Sequence, residues 1–200
     1  VFNLNSHQKI ILIKLKKNIT SLNNEKVGAN FYNFIKSNSI NNSTFISENF
    51  SEVLKKNKNF LNEFFHGVEL KSYKFDKYKT KKDNDKYEFD VLSKVKLLNL
   101  NEVKRYKSLI EGTNFTKDLV SEPGNILHPD EYAKRLVNLR KLGLKVVVYD
   151  TKKLRKLGMN ALLGVGQGSV RGSYLVTIEW NGLRKKNKPI AFVGKGVCFD

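Results

Sequence analysis

Near its end the chain reads PIAFVGKGVCFD (residues 189–200): an apolar run, then Lys195 held between Gly194 and Gly196, with Asp200 five residues further on. Ile190 to Val193 predict a strand, and in open α/β sheets ligands bind outside the carboxyl ends of strands. The two glycines free the backbone on each side of the amine. Taken alone, the same lysine also fits an ammonium that points to water. Both readings stay open on these residues.

Other residue types that could do chemistry are sparse. His7, His66 and His128 lie far apart, with no H-E-x-x-H pair and no partnering cysteines, so a zinc site of the usual His or Cys type is not predicted. Each histidine reads as a surface or capping residue. Cys198 has no identifiable base and reads as a small, partly buried packing residue rather than a nucleophile. As the single cysteine it cannot form an internal disulfide, which agrees with a reducing compartment. GVGQGS (residues 164–169) is glycine-rich, but it matches neither G-x-G-x-x-G nor a phosphate loop, and tight packing near a site is the better reading.

The formal net charge is +18 in 200 residues, which raises the prospect of nucleic-acid binding through counterion release. The excess is almost all lysine, spread over every segment and accompanied by many Asn and Ile, as when base composition favours A- and T-rich codons. Runs such as KTKKDNDK (residues 79–86) interleave acids with bases and read as solvated loop. At 40% hydrophobic and 28% charged residues, the composition is that of a globular chain of one or two domains. No apolar run approaches a membrane span, and the first residues lack the features of a signal peptide. A soluble, cytoplasmic protein is the expectation.

The elements that must position Lys195 differ in texture between two halves. Residues 1–112 contain three glycines and no proline; residues 113–200 hold the other ten glycines and all three prolines. In the first half, strands are predicted at 9–16, 43–47 and 87–98. Helices are predicted at 25–36, with Val27, Phe31, Phe34 and Ile35 on one stripe, and onward from Ser51, where Val53, Leu54, Phe60, Leu61, Phe64 and Phe65 recur at helical spacing. A helix over 99–119 links the halves. In the second half a turn at Pro123-Gly124 precedes a helix that opens with Pro129, carries Asp130 and Glu131 in its first turn and stops at Gly143. His128 stands at its N-cap, a poorer cap than Thr by roughly 0.5 to 1 kcal/mol. Strands follow at LKVVVYD (144–150), expected to be buried on both faces, at SYLVTIEW (173–180) and at PIAFVG (189–194), giving an α/β alternation.

From Asn114 onward the chain resembles the leucine aminopeptidase family, the cytosol aminopeptidases. TKDLVSEPGNILHP (116–129), LGMNALLGVGQGS (157–169), YLVTIEWNG (174–182) and PIAFVGKGVCFD (189–200) carry the resemblance in order and spacing. SYKFDKYKTKKD (72–83) is similar to the end of that family's N-terminal domain. The resemblance implies an α/β chain in two parts. Residues 1–112 would form a macro-domain-like N-terminal domain, incomplete at its start, and residues 113–200 the beginning of the peptidase catalytic domain.

What the resemblance implies about chemistry is specific. Two divalent ions, zinc or manganese, would be held between strand ends, with Lys195 as an amine ligand and Asp200 as a carboxylate ligand. The activity implied is release of N-terminal residues, leucine and others, from peptides. A homohexamer and a bound bicarbonate are implied for the full-length enzyme. The family's catalytic lysine and arginine are expected beyond Asp200, so residues 1–200 alone are expected to be inactive. Cys198 stands where the family often has Thr, Lys117 where it often has Arg, and His128 where Thr usually caps the helix. A basic nucleic-acid-binding protein on an inactive aminopeptidase scaffold is the alternative reading.

Overall fold

A computed structural model describes residues 1–5, 8–15, 20–46, 48, 51–82, 86–94, 100–183 and 187–198. The chain divides into two compact units, Val1–Thr116 and Lys117–Asp200. The mixed helices and strands agree with the expected α/β class.

The first unit contains β1 (Phe2–Asn3), β2 (Lys9–Ile10), α1 (Ser21–Ser37), β3 (Asn42–Ile46), α2 (Ser51–Lys56), α3 (Phe60–Ser72) and β4 (Glu88–Leu92). Helix α4 (Leu100–Ser121) carries the chain from this unit into the next. β3 and β4 pair in parallel, with Phe45 opposite Val91. A parallel pair needs a crossover, and α2 and α3 supply it. Alternation along the strands turns Phe45, Phe89 and Val91 inward, where they meet Phe31, Ile35, Phe60, Leu61, Phe64 and Val68 from α1 and α3. Phe31 and Phe64 both meet Phe45 edge to face at centroid distances of 5.4 Å. Each such ring contributes about 1.5–3 kcal/mol by burial.

α1 and α3 cross where each carries a glycine. A Cβ on Gly28 would overlap the Phe64 carbonyl oxygen and lie 2.9 Å from its carbon, and one on Gly67 would overlap the Glu25 carbonyl oxygen. The two backbones therefore touch directly. Beside the crossing, the buried Glu63 carboxylate accepts hydrogen bonds from Ser21 Oγ (2.7 Å), Asn24 Nδ2 (2.6 Å) and Asn57 Nδ2 (2.7 Å).

Three expectations change here. The single helix expected after Ser51 is two, because Asn57 Oδ1 accepts the Asn59 amide at 2.8 Å in a side-chain turn that ends α2. The strand expected over 9–16 pairs only at Lys9–Ile10. Ile11, Ile13 and Leu15 keep the period of two and pack on the core without a ladder, and Lys16 lies outside the described residues. His66 is not a surface or capping residue. It is buried on α3, with Nδ1 2.8 Å from Glu25 Oε1 and its ring 4.9 Å from that of Tyr106. His7 and residues 95–98 of the strand expected over 87–98 lie outside the described residues.

The second unit contains α5 (Pro129–Val137), a 3-10 turn at Asn138–Leu142, β5 (Lys145–Tyr149), α6 (Thr151–Lys156), α7 (Asn160–Val165) and β6 (Leu175–Glu179). Gly143 closes the 3-10 turn at φ 84°, the left-handed conformation that glycine adopts without cost. β5 and β6 pair antiparallel, with Val147 opposite Thr177. Val146 is buried, but Val147 and Val148 are half-buried, so one face of β5 is covered rather than both. Residues 189–194 form no strand. Ile190, Phe192 and Val193 are 85, 94 and 98% exposed, so neither face of this stretch has the apolar cover that a central strand requires. No helix among the described residues is long and apolar enough to cross a membrane.

Candidate active site

The candidate site is built around α5. Proline at its first position needs no hydrogen-bond acceptor, and Asp130 and Glu131 place negative charge in its positive first turn. Ala133 is buried, which fixes the face that α5 turns inward. Arg135 donates to Glu131 Oε1 (3.1 Å) and to Glu122 Oε1 (2.8 Å), tying α5 to the turn that precedes it. The Glu122 side chain is buried, so this pair is shielded from water.

His128 occupies the N-cap, as expected, but it is an imperfect cap. Its Nδ1 lies 2.6 Å from Asp130 Oδ1 and 3.4 Å from the Glu131 amide nitrogen. Nδ1 either donates to the carboxylate or accepts from the Glu131 N–H, according to its tautomer, and one nitrogen cannot do both at once. Arg171 closes the other side of Asp130 at 3.1 Å. Burial pushes the Asp130 carboxyl up, but hydrogen bonds from its own backbone amide and from His128, with the charges of His128 and Arg171, outweigh it. The carboxyl is held below its ordinary range. Glu131 is held low as well, chiefly by its hydrogen bond from Arg135.

The glycine-lysine-glycine stretch lies against this helix at one point. Gly196 packs on the ring of Tyr132 in the first turn of α5, and Cys198 is half-buried, its thiol pushed up by burial and then by the Asp130 charge. Lys195 is exposed, and Gly194 has open space on every side of its missing Cβ. Asp200 lies outside the described residues. The structure therefore places Lys195 at the end of an uncovered apolar stretch, next to the N-terminus of α5.

As a metal donor set, these residues fit in kind but are incomplete. An exposed lysine beside a glycine with open space can reach an ion. However, no group of three or more His, Cys, Asp and Glu able to hold a metal exists among the described residues. GVGQGS is the end of α7 and a turn, with the Ser169 amide bonded to Gly166 O at 3.1 Å, and the chain beyond it delivers Arg171 to Asp130. Neither motif nor spacing marks Tyr132, Asp130 or Arg171 as a site residue in the sequence. Tyr132 has no mark in the sequence beyond its place in the helix that opens at Pro129, and nothing local links residue 171 to residue 130.

A family model described as the catalytic domain of the cytosol aminopeptidase family matches residues 114–200. A probable cytosol aminopeptidase from Afipia carboxidovorans is 48% identical over 139 residues, covering 67% of this chain and 28% of that protein. One from Bradyrhizobium sp. is 44% identical over 138 residues with the same coverages. The chain thus spans about a quarter of the length of these curated relatives. Among solved structures, a mutant of tomato leucine aminopeptidase superposes with a TM-score of 0.70 at 17% identity, over 86% of this chain and 36% of that one. The bottromycin maturation enzyme BotP in complex with Mn superposes with a TM-score of 0.63 at 20% identity, over 81% and 34%. These two similarities concern the fold.

Proposed function

We propose, on the premise that this chain belongs to the cytosol aminopeptidase family through residues 114–200, that the whole protein is a metal-dependent aminopeptidase. It releases N-terminal amino acids, leucine among them, from peptides in the cytoplasm. The observation that carries the reading is the match of residues 114–200 to the family's catalytic domain, with relatives at 44% and 48% identity that all bear the aminopeptidase name. The Mn complex of BotP, similar in fold, supports a divalent metal.

Lys195 and Asp200 are the ligands we propose within this chain. An amine ligates only as the neutral base, and a carboxylate only as the anion. Two such donors leave most positions around two ions to other residues and water, since hard divalent cations take about six donors each. The bound ions, zinc or manganese, supply Lewis acidity toward a peptide carbonyl and a nucleophile from water near neutral pH. On this chain, Gly194 leaves the approach to Lys195 open, and α5 holds the stretch behind it. A homohexamer and a bicarbonate site belong to the same reading.

Hydrolysis of a leucine anilide by the full-length protein tests it. Activity is expected to disappear on chelation and return with manganese or zinc. Lys195→Arg is expected to lose both metal and activity, because a guanidinium stays protonated and cannot ligate. Wild-type turnover with two metals bound in Lys195→Arg would refute the assignment. Chelator-insensitive turnover would refute the metal dependence.

A further inference from the structure

We infer that Tyr132 is a positioning residue for Lys195, its ring being the surface on which the Gly196 backbone rests. The inference rests on the proposed role of Lys195 as a metal ligand and names what sets its place.

A Cβ built on Gly196 would lie 2.5 Å from Tyr132 Cε1, 3.3 Å from Cδ1 and 3.5 Å from Cζ, whereas one on Gly194 meets nothing within 4 Å. The two glycines beside Lys195 are therefore not equivalent. Gly194 gives access, and Gly196 gives contact.

The helix turn that carries the ring is held from several directions. The Tyr132 amide donates to His128 O at 2.9 Å, closing the first turn of α5. The next residue, Ala133, is 5% exposed and pins the helix. Arg135 reaches back to Glu122, and Arg171 comes across to Asp130. Two separate parts of the chain thus brace the helix that lies beneath Gly196. Cys198, two residues past Gly196, is half-buried beside the same turn. On the other side of Lys195, Ile190, Phe192 and Val193 are almost fully exposed. The contact that bears on Lys195 is thus the one made by Gly196 on its C-terminal side.

A ligand amine displaced by a fraction of an ångström loses overlap with its ion, and removing a group that orients a ligand weakens metal binding by roughly 10- to 100-fold. Tyr132→Ala removes the support, and Gly196→Ala brings a methyl against the ring, which must turn to make room and so shifts the surface on which the backbone rests. Removing both takes away the collision as well as the support.

The experiment is calorimetric titration of the full-length protein with manganese, with unfolding midpoints recorded alongside. Tyr132→Ala and Gly196→Ala are each expected to weaken manganese binding about 10- to 100-fold, and Tyr132→Phe, which keeps the ring, to stay within about twofold of wild type. The double variant is expected to bind more tightly than Gly196→Ala alone, a coupling that general destabilisation does not produce. Unchanged affinity in Tyr132→Ala, or losses that simply add in the double variant, overturns the inference. Wild-type affinity in Lys195→Ala refutes the metal site itself, and the inference falls with it. Lost affinity in Lys195→Ala with intact affinity in Tyr132→Ala refutes the positioning role alone. Should Gly196→Ala not fold, the contrast between Tyr132→Ala and Tyr132→Phe decides the matter.

Discussion

Gly67→Ala and Gly112→Ala are the same chemical change inside two helices, and they are expected to move stability in opposite directions. In both, alanine favours the helix by about 1 kcal/mol over glycine, because it restricts the unfolded chain. At Gly112, in α4, a Cβ meets nothing within 4 Å, so the gain stands. At Gly67 the Cβ overlaps the Glu25 carbonyl oxygen and lies 2.6 Å from Glu25 C and 2.7 Å from Glu25 Cα. These are backbone atoms of α1, with no rotamer to turn away. Restoring ordinary contact near 3.5 Å moves the helices apart by about 1 Å, and a gap of that size forfeits a quarter to a half of the attraction across the interface. Overpacking of this kind costs about 3 kcal/mol at the upper end of the usual range, so the net effect is a loss of about 2 kcal/mol after the gain of about 1. For a unit of this size 1 kcal/mol moves the midpoint by about 4–8 °C. Gly67→Ala is thus expected to lower the thermal midpoint of the first unit by about 10 °C, and Gly112→Ala to raise it by a few degrees. Circular dichroism melts and urea titrations of both variants measure this. Equal shifts in the two, or a stabilised Gly67→Ala, would refute the close crossing of α1 and α3.

Two further outcomes follow from charge. Asp130 has a folded pKa below its ordinary value of 3.8, so its contribution is present above that value and is lost as pH falls through the lower, folded one. Melts from about pH 5 downward are expected to fall less steeply in Asp130→Asn than in the wild type, and an identical slope would contradict the contacts with His128 and Arg171. If the lysine excess is a dispersed surface, duplex DNA is expected to bind weakly, without sequence preference and with steep salt dependence. Sequence-specific binding tighter than about 10⁻⁸ M at physiological salt would favour the nucleic-acid reading instead.

The features legible without the fold are local or carried by motif. The period of the apolar residues located α1, α3, β3 and β5, because a helix or strand that buries one face must repeat its side chains accordingly. Pro129 and Gly143 bounded α5 and the turn after it through backbone sterics alone. The glycines around Lys195, with the blocks before them, pointed to the aminopeptidase family without any coordinates. Tertiary structure decided what depends on partners distant in the chain. His66 looked like any polar helix residue until Glu25 and Tyr106 closed over it. Ile190 to Val193 had the composition of a buried strand but not the neighbours, and a strand exists only as a member of a sheet. The same limit applied at the site: sequence showed that Gly196 has no side chain, and only the fold showed that the space belongs to Tyr132.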